Sequence, residues 1–147
     1  MTKYDLIRDN VAWGTSFEKP WREALRKKYP SICNKNISDK FASMDSISND
    51  NGIIIEHEHK KRKMKHDKYC SIVFNRCKFE KSVKQVERGI RQIYWWTCTD
   101  GLFYWELYDI DKQKDEFEFG WICNKKIGQK PVRGVYIKVA YLKKYED

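Results

Sequence analysis

The sequence predicts a single α/β domain, a mixed central sheet flanked by helices. Three observations carry this. The chain has 147 residues, the size of one domain. Its apolar segments run in the order helix, three strands, helix, strand, followed by further C-terminal strands. Apolar residues make up 41% of the chain and aromatics 15%, enough to bury one core although 35% is charged.

Residues 1–16 read as an N-terminal arm and 17–147 as the domain. In "FEKPWREALRKK", Phe17, Trp21 and Leu25, with Ala24 one step over, follow helical spacing. Pro20 fits its first turn and Pro30 stops it. "FASMDSI" (41–47) reads as a strand, "SNDNG" as a turn and "IIIEHEHKKR" as the next strand, apolar first and charged at its far end. After the turn "KMKHD", "YCSIVF" (69–74) is the third strand. Phe79, Val83, Val86 and Ile90 then form a helical core stripe, with Lys78, Lys81, Lys84 and Arg88 off it. "QIYWWTCT" and "LFYWELYDI" make a hairpin around "TDG", and "EFEFGWI" and "GVYIKVAYL" add further strands.

The formal charge is +9 and the pI about 9.3. That balance favours a polyanionic partner, nucleic acid before a membrane surface. The start "MTKYDLIRDN" lacks the apolar region of a secretory signal, and no window approaches the ~18 apolar residues of a membrane span. Five cysteines without a CxxC pair read as reduced thiols inside a cell or a viral factory, not as a secreted disulfide framework.

The strand "IIIEHEHKK" raises the chemical question. Alternation places Ile54, Glu56, Glu58, Lys60 and Arg62 on one face and Ile53, Ile55, His57 and His59 on the other. Neighbouring acids on one face repel, and a hard divalent cation is the simplest offset. Asp45 ends "FASMD" on the preceding strand. Counting from "SNDNG" makes Glu56 its direct neighbour and Glu58 one step further.

The layout Asp-x12-Glu-x-Lys, in a helix-β-β-β-helix-β order, resembles the PD-(D/E)XK nuclease superfamily. More narrowly, "IIIEHEHKKR", "YCSIVFNRCK", "YWWTCTDGLFYWEL" and "GVYIKVAYL" resemble small endonuclease-like proteins of large DNA viruses, over roughly residues 41–142. Met44 stands where the motif usually has Pro, and Glu56 competes with Glu58.

The resemblance implies a restriction-endonuclease-like domain and a metal-dependent nuclease acting on DNA. Asp45 and Glu58 would hold magnesium or manganese, with Glu56 and Glu18 or Glu23 as further candidate ligands. Lys60 would complete the catalytic set. Arg62, Lys78, Lys81, Lys84 and Arg88 would track nucleic-acid phosphates. Many relatives of the fold cut as homodimers. The other class of function is a catalytically silent nuclease-fold protein, a basic nucleic-acid-binding or virion structural component with virion proteins as partners. The implied location is cytoplasm, nucleus or viral factory, or the virion itself.

Three competing signals weigh less. His57, His59, His66, Cys70 and Cys77 fall within 21 residues, yet none has the short ligand loop of a zinc knuckle. "KKRK" (60–63) matches a nuclear-import pattern but sits on a strand end. The aromatic hairpin reads as core, with Trp95 or Trp96, Phe103 and Trp105 buried.

Overall fold

The computed structural model describes residues 19–29, 33–34, 46–123 and 130–146. The arm expected over 1–16 and the "FASMD" segment lie outside them. Helix α1 covers 19–28. Its Trp21, Ala24 and Leu25, with Tyr29 just beyond, are all buried, at the i, i+3, i+4, i+8 spacing of one helical face.

Strand β1 (Cys33–Asn34) pairs with β2 (Ser46–Asp50), and β2 pairs antiparallel with β3 (Ile53–Lys61). Only two residues close the β2–β3 hairpin. Asn51 (φ 52°) and Gly52 (φ 90°) both adopt positive φ, as a type I′ turn requires. Asn49 Oδ1 accepts from the Gly52 amide at 2.8 Å. The five-residue turn read from "SNDNG" is therefore too long, and three of its residues belong to β2. The register shifts accordingly: Ile47, not Asp45, stands across from Glu56.

Strand β4 (Ser71–Asn75) leads directly into helix α2 (Arg76–Glu87), which is capped by Asn75 Oδ1 accepting from the Cys77 amide at 2.7 Å. Strand β5 (Arg91–Cys98) then returns parallel to β3. Strand β6 (Gly101–Leu107) pairs antiparallel with β5, and β9 (Lys143–Lys144) closes the far edge. The main sheet runs β1-β2-β3-β5-β6-β9. It is mixed, because only the β3–β5 pair is parallel.

The third predicted strand does not join this sheet. Strand β4 pairs instead with β8 (Val132–Lys138), and β8 with β7 (Phe117–Ile122), in a second sheet of order β4-β8-β7. Alternation along β4 shows which side chains share a face but not which sheet receives them.

Two cores result. Trp21 and Leu25 of α1, with Tyr29 just after it, pack with Ile55, Ile93, Trp95 and Leu102 on one face of the main sheet. On the other face, Tyr94, Trp96, Phe103, Trp105 and Leu107 meet Phe79 of α2 and Ile72, Phe74, Phe117, Val135 and Ile137 of the second sheet. Trp95 and Trp96 are both fully buried, one per face, so the aromatic hairpin feeds both cores.

Gly134 marks a close approach between β8 and its neighbours. A Cβ there would lie 2.5 Å from Ile122 Cγ1 and 3.2 Å from Val73 Cγ2. Gly134→Ala is therefore expected to destabilise the fold by about 1–3 kcal/mol through overpacking. Urea denaturation checks this.

Candidate metal and nucleic-acid site

The pattern of burial along β3 reverses the sequence expectation. Ile53 and Ile54 are 49% and 44% exposed, whereas Glu56, His57 and Glu58 are 5%, 0% and 3% exposed. The isoleucines lie at the hairpin end, beyond the helices. The charged middle of β3 lies between β2 and β5 and is covered from both sides.

The two faces separate the chemistry. His57 and His59 face α1. The Trp95 indole N–H donates to His57 Nδ1 at 3.0 Å, so the ring proton sits on Nε2 and faces Ser48 Oγ at 2.8 Å. His59 Nε2 lies 2.7 Å from Thr97 Oγ1, and the ring stacks on Trp21 with centroids 4.5 Å apart. Burial lowers both histidines to about 3, assisted for His57 by Arg91 and Lys28 and for His59 by Arg22 and Lys61. Both are neutral imidazoles across the physiological range.

Glu56 and Glu58 face α2. Glu56 Oε1 accepts from Gln85 Nε2 of α2 and from Gln92 Nε2 of β5, both at 2.9 Å. Glu58 Oε1 lies 2.5 Å from Lys78 Nζ in the first turns of α2. Lys60 is half-buried on this same face. Beneath the pair, Tyr94 and Ser82 share a short hydroxyl–hydroxyl hydrogen bond, and burial raises the Tyr94 phenol well above its ordinary range. Two carboxylates stand adjacent on one strand face, one held by neutral amides and the other by an ammonium. The two carboxylates offer oxygen ligands, the kind that magnesium or manganese takes.

The remaining candidates fall into three groups. Asp45 and Glu18 lie outside the described residues. Glu23 is exposed on α1, the helix on the opposite face of the sheet from Glu56 and Glu58. Arg62 is half-buried and donates to the Lys61 carbonyl at 3.1 Å and to the Val73 carbonyl at 3.2 Å, so it ties the end of β3 to β4. Burial lowers its pKa. Lys81, Lys84 and Arg88 are exposed along α2.

The zinc cluster does not assemble among the described residues. His57 and His59 are engaged with Trp95, Ser48 and Thr97 on the α1 face, and Cys70 and Cys77 are exposed free thiols. One group of three, His66, Asp67 and Asp100, could bring ligand atoms within 4.8 Å of one another. Its geometry already has a structural use. Asp100 accepts from the His66 amide at 2.9 Å and meets His66 Nδ1 at 2.5 Å, while the ring stacks on Phe103 at 3.9 Å. These contacts pin the β3–β4 turn to the β5–β6 hairpin.

Sequence reasoning missed Gln85 and Gln92. Neither lies in the nuclease pattern: the register of β5 against β3 sets Gln92 beside Glu56, and the packing of α2 brings Gln85 to the same carboxylate. Gln92 is 1% exposed. Gln92→Leu is expected to cost about 1–3 kcal/mol by leaving a buried carboxylate short of a donor. In a Glu56→Gln background the same change is expected to cost less, a coupling that a double-mutant cycle measures.

No protein-family model matches the chain, and no curated protein matches it. Among solved structures it is similar to Hjc, a Holliday junction resolvase of the archaeal hyperthermophile Archaeoglobus fulgidus. The TM-score is 0.50 at 12% sequence identity, over 86% of this chain and 90% of that one. At that identity the likeness is one of fold, and the mixed sheet between helices is a restriction-endonuclease-like fold. Nothing in these matches bears on the narrower resemblance to viral proteins.

Proposed function

We propose that the chain is a metal-dependent endonuclease that hydrolyses phosphodiester bonds of DNA. The observation that carries this is the pair Glu56 and Glu58, 5% and 3% exposed, side by side on one face of a central strand. Burying two neighbouring carboxylates is costly, and a fold that needed only stability has cheaper residues for that place. The resolvase fold adds to the reading.

Glu58 is the metal ligand in this proposal, with Asp45 as its partner. What supports Asp45 is the Asp-x12-Glu-x-Lys layout of the sequence, in which Asp45 directly precedes β2. Bound magnesium or manganese would polarise the scissile phosphate and lower the pKa of an attacking water. Lys60, beside Glu58 on β3, orients that water and stabilises charge on the phosphate oxygens. Lys78 neutralises Glu58 in the absence of the cation. Being 37% exposed, its ammonium can swing out to a phosphate. Lys81, Lys84 and Arg88 extend the phosphate track along α2. The location that goes with this activity is inside the cell, where free thiols such as Cys70, Cys77 and Cys98 stay reduced. No helix among the described residues is long and apolar enough to cross a membrane.

A plasmid-nicking assay in magnesium and manganese tests the proposal. Wild type should cut, and the Glu58→Ala, Lys60→Ala double variant should not. Equal cutting by both removes the reading.

One observation favours a second reading. Gln85, Gln92 and Lys78 already satisfy the acids. A nuclease fold that has given up turnover, kept as a basic DNA-binding or virion component, would look the same. DNA affinity that survives EDTA, with no cleavage in any metal, would select it.

A further inference from the structure

Strands β7 and β8 overrun β4. The β4–β8 ladder ends at Asn75 opposite Gly134, while the β7–β8 ladder continues through Trp121 opposite Arg133 to Ile122 opposite Val132. Along the core-facing side of β7, Phe117, Phe119 and Trp121 pass from 6% to 48% to 59% exposed. The aromatic row that begins in the core thus projects past it. Each projecting ring has an arginine nearby. The Arg76 guanidinium lies 4.2 Å over the Phe119 ring, and Arg133 is exposed directly across from Trp121.

We propose that this overhang is a stacking platform for unpaired DNA bases. The proposal rests on the nuclease reading for its biological sense and names the substrate feature which that site would act beside. Aromatic faces accept any base, and the exposed Arg133 supplies charge for a phosphate beside Trp121, while Arg76, paired with Glu80 at 3.2 Å, caps one face of Phe119. Side chains two apart on a strand stand about 6.7 Å from each other, room for one flat base between two rings. Duplex DNA hides its base faces and offers nothing to Trp121, so the platform selects open strands.

The platform is held from behind and is joined to the acids through α2. Tyr136 packs flat against Gly120, where a Cβ would come within 2.8 Å of its ring. The Tyr136 hydroxyl donates to the Trp121 carbonyl at 2.5 Å. The backbone that presents Trp121 is therefore fixed from the opposite face. Helix α2 links platform to site: Arg76 covers Phe119, and Lys78, two residues on, holds Glu58. The first turn of α2 therefore touches the platform through one side chain and the acids through another.

The test measures binding by fluorescence anisotropy in EDTA, so that cleavage plays no part. The probes are a labelled oligothymidylate and a blunt duplex of equal length. Trp121→Ala should weaken oligothymidylate binding about tenfold or more, Trp121→Phe should restore it, and duplex affinity should change less than about twofold. Equal loss on both probes, or no loss on either, overturns the platform. So does a loss that sedimentation traces to separation of two copies of the chain, because the surface would then be a self-interface. If these shifts occur but no metal supports cutting, the platform stands and the nuclease reading falls. If Glu58-dependent cutting is seen while Trp121→Ala binds normally, the reverse holds.

Discussion

Glu58→Gln is expected to lower metal-dependent DNA cleavage by at least about 10²-fold while leaving the melting temperature unchanged or raised. The two outcomes separate because of where the charges lie. Glu58 is 3% exposed and stands on the same strand face as Glu56 at 5%. Removing its charge relieves the repulsion between two buried carboxylates. Breaking a buried ion pair is usually destabilising because one charge is stranded. Here the stranded group is Lys78, 37% exposed, which can return to water. A residue kept for packing loses activity and stability together when changed. One kept for chemistry costs the fold something and repays it only in turnover. Nicking rates in magnesium beside thermal melts of both proteins make the comparison. A variant that melts several degrees lower with proportionate activity would make Glu58 structural.

The second large effect is acid lability. His57 and His59 titrate near 3 in the folded protein and near 6.5 in the unfolded chain. Their folded pKa values are depressed, so the unfolded chain takes up the proton first. The stabilisation from keeping them neutral is complete above pH 6.5 and is lost progressively as pH falls toward 3. Each contributes a slope of about 1.4 kcal/mol per pH unit inside that window, so ΔG of unfolding should fall by nearly 3 kcal/mol per unit while both remain coupled. Denaturant titrations at pH 7.5, 6, 5 and 4.5 measure it. His59→Gln should roughly halve the slope. A flat profile between pH 6.5 and 4.5 would mean that the imidazoles are hydrated and not sealed under α1.

How much of this was legible in the sequence depends on the kind of signal. Helix α1 was, because Trp21, Ala24 and Leu25 repeat at 3.6-residue spacing and Pro30 follows. Most of α2 was too, although the stripe runs on to Ile90 while the helix ends at Glu87, ahead of Gly89 at φ 82°. The two faces of β3 were readable from alternation, and they sort the acids toward α2 and the histidines toward α1. Which residues of β3 are buried was not readable from hydropathy. Burial there is set by the neighbours β2 and β5 and by the helices above and below, not by the residues' own polarity. The hairpin register failed for a related reason. "SNDNG" contains two turn signals, and only backbone geometry shows that Asn51 and Gly52 alone make the turn. The second sheet and the glutamines around Glu56 depend on pairings 29 residues apart or more and leave no local trace.

The parallel pairing of β3 with β5 also sets an order of events. Glu56 and Gln92 touch across 36 positions of chain, with β4 and α2 threaded between them. As the polypeptide emerges from the ribosome, the acids of β3 stay hydrated and ionised until the whole crossover has been made. Only the arrival of β5 dehydrates them, so the buried acid pair is among the last features the nascent protein completes.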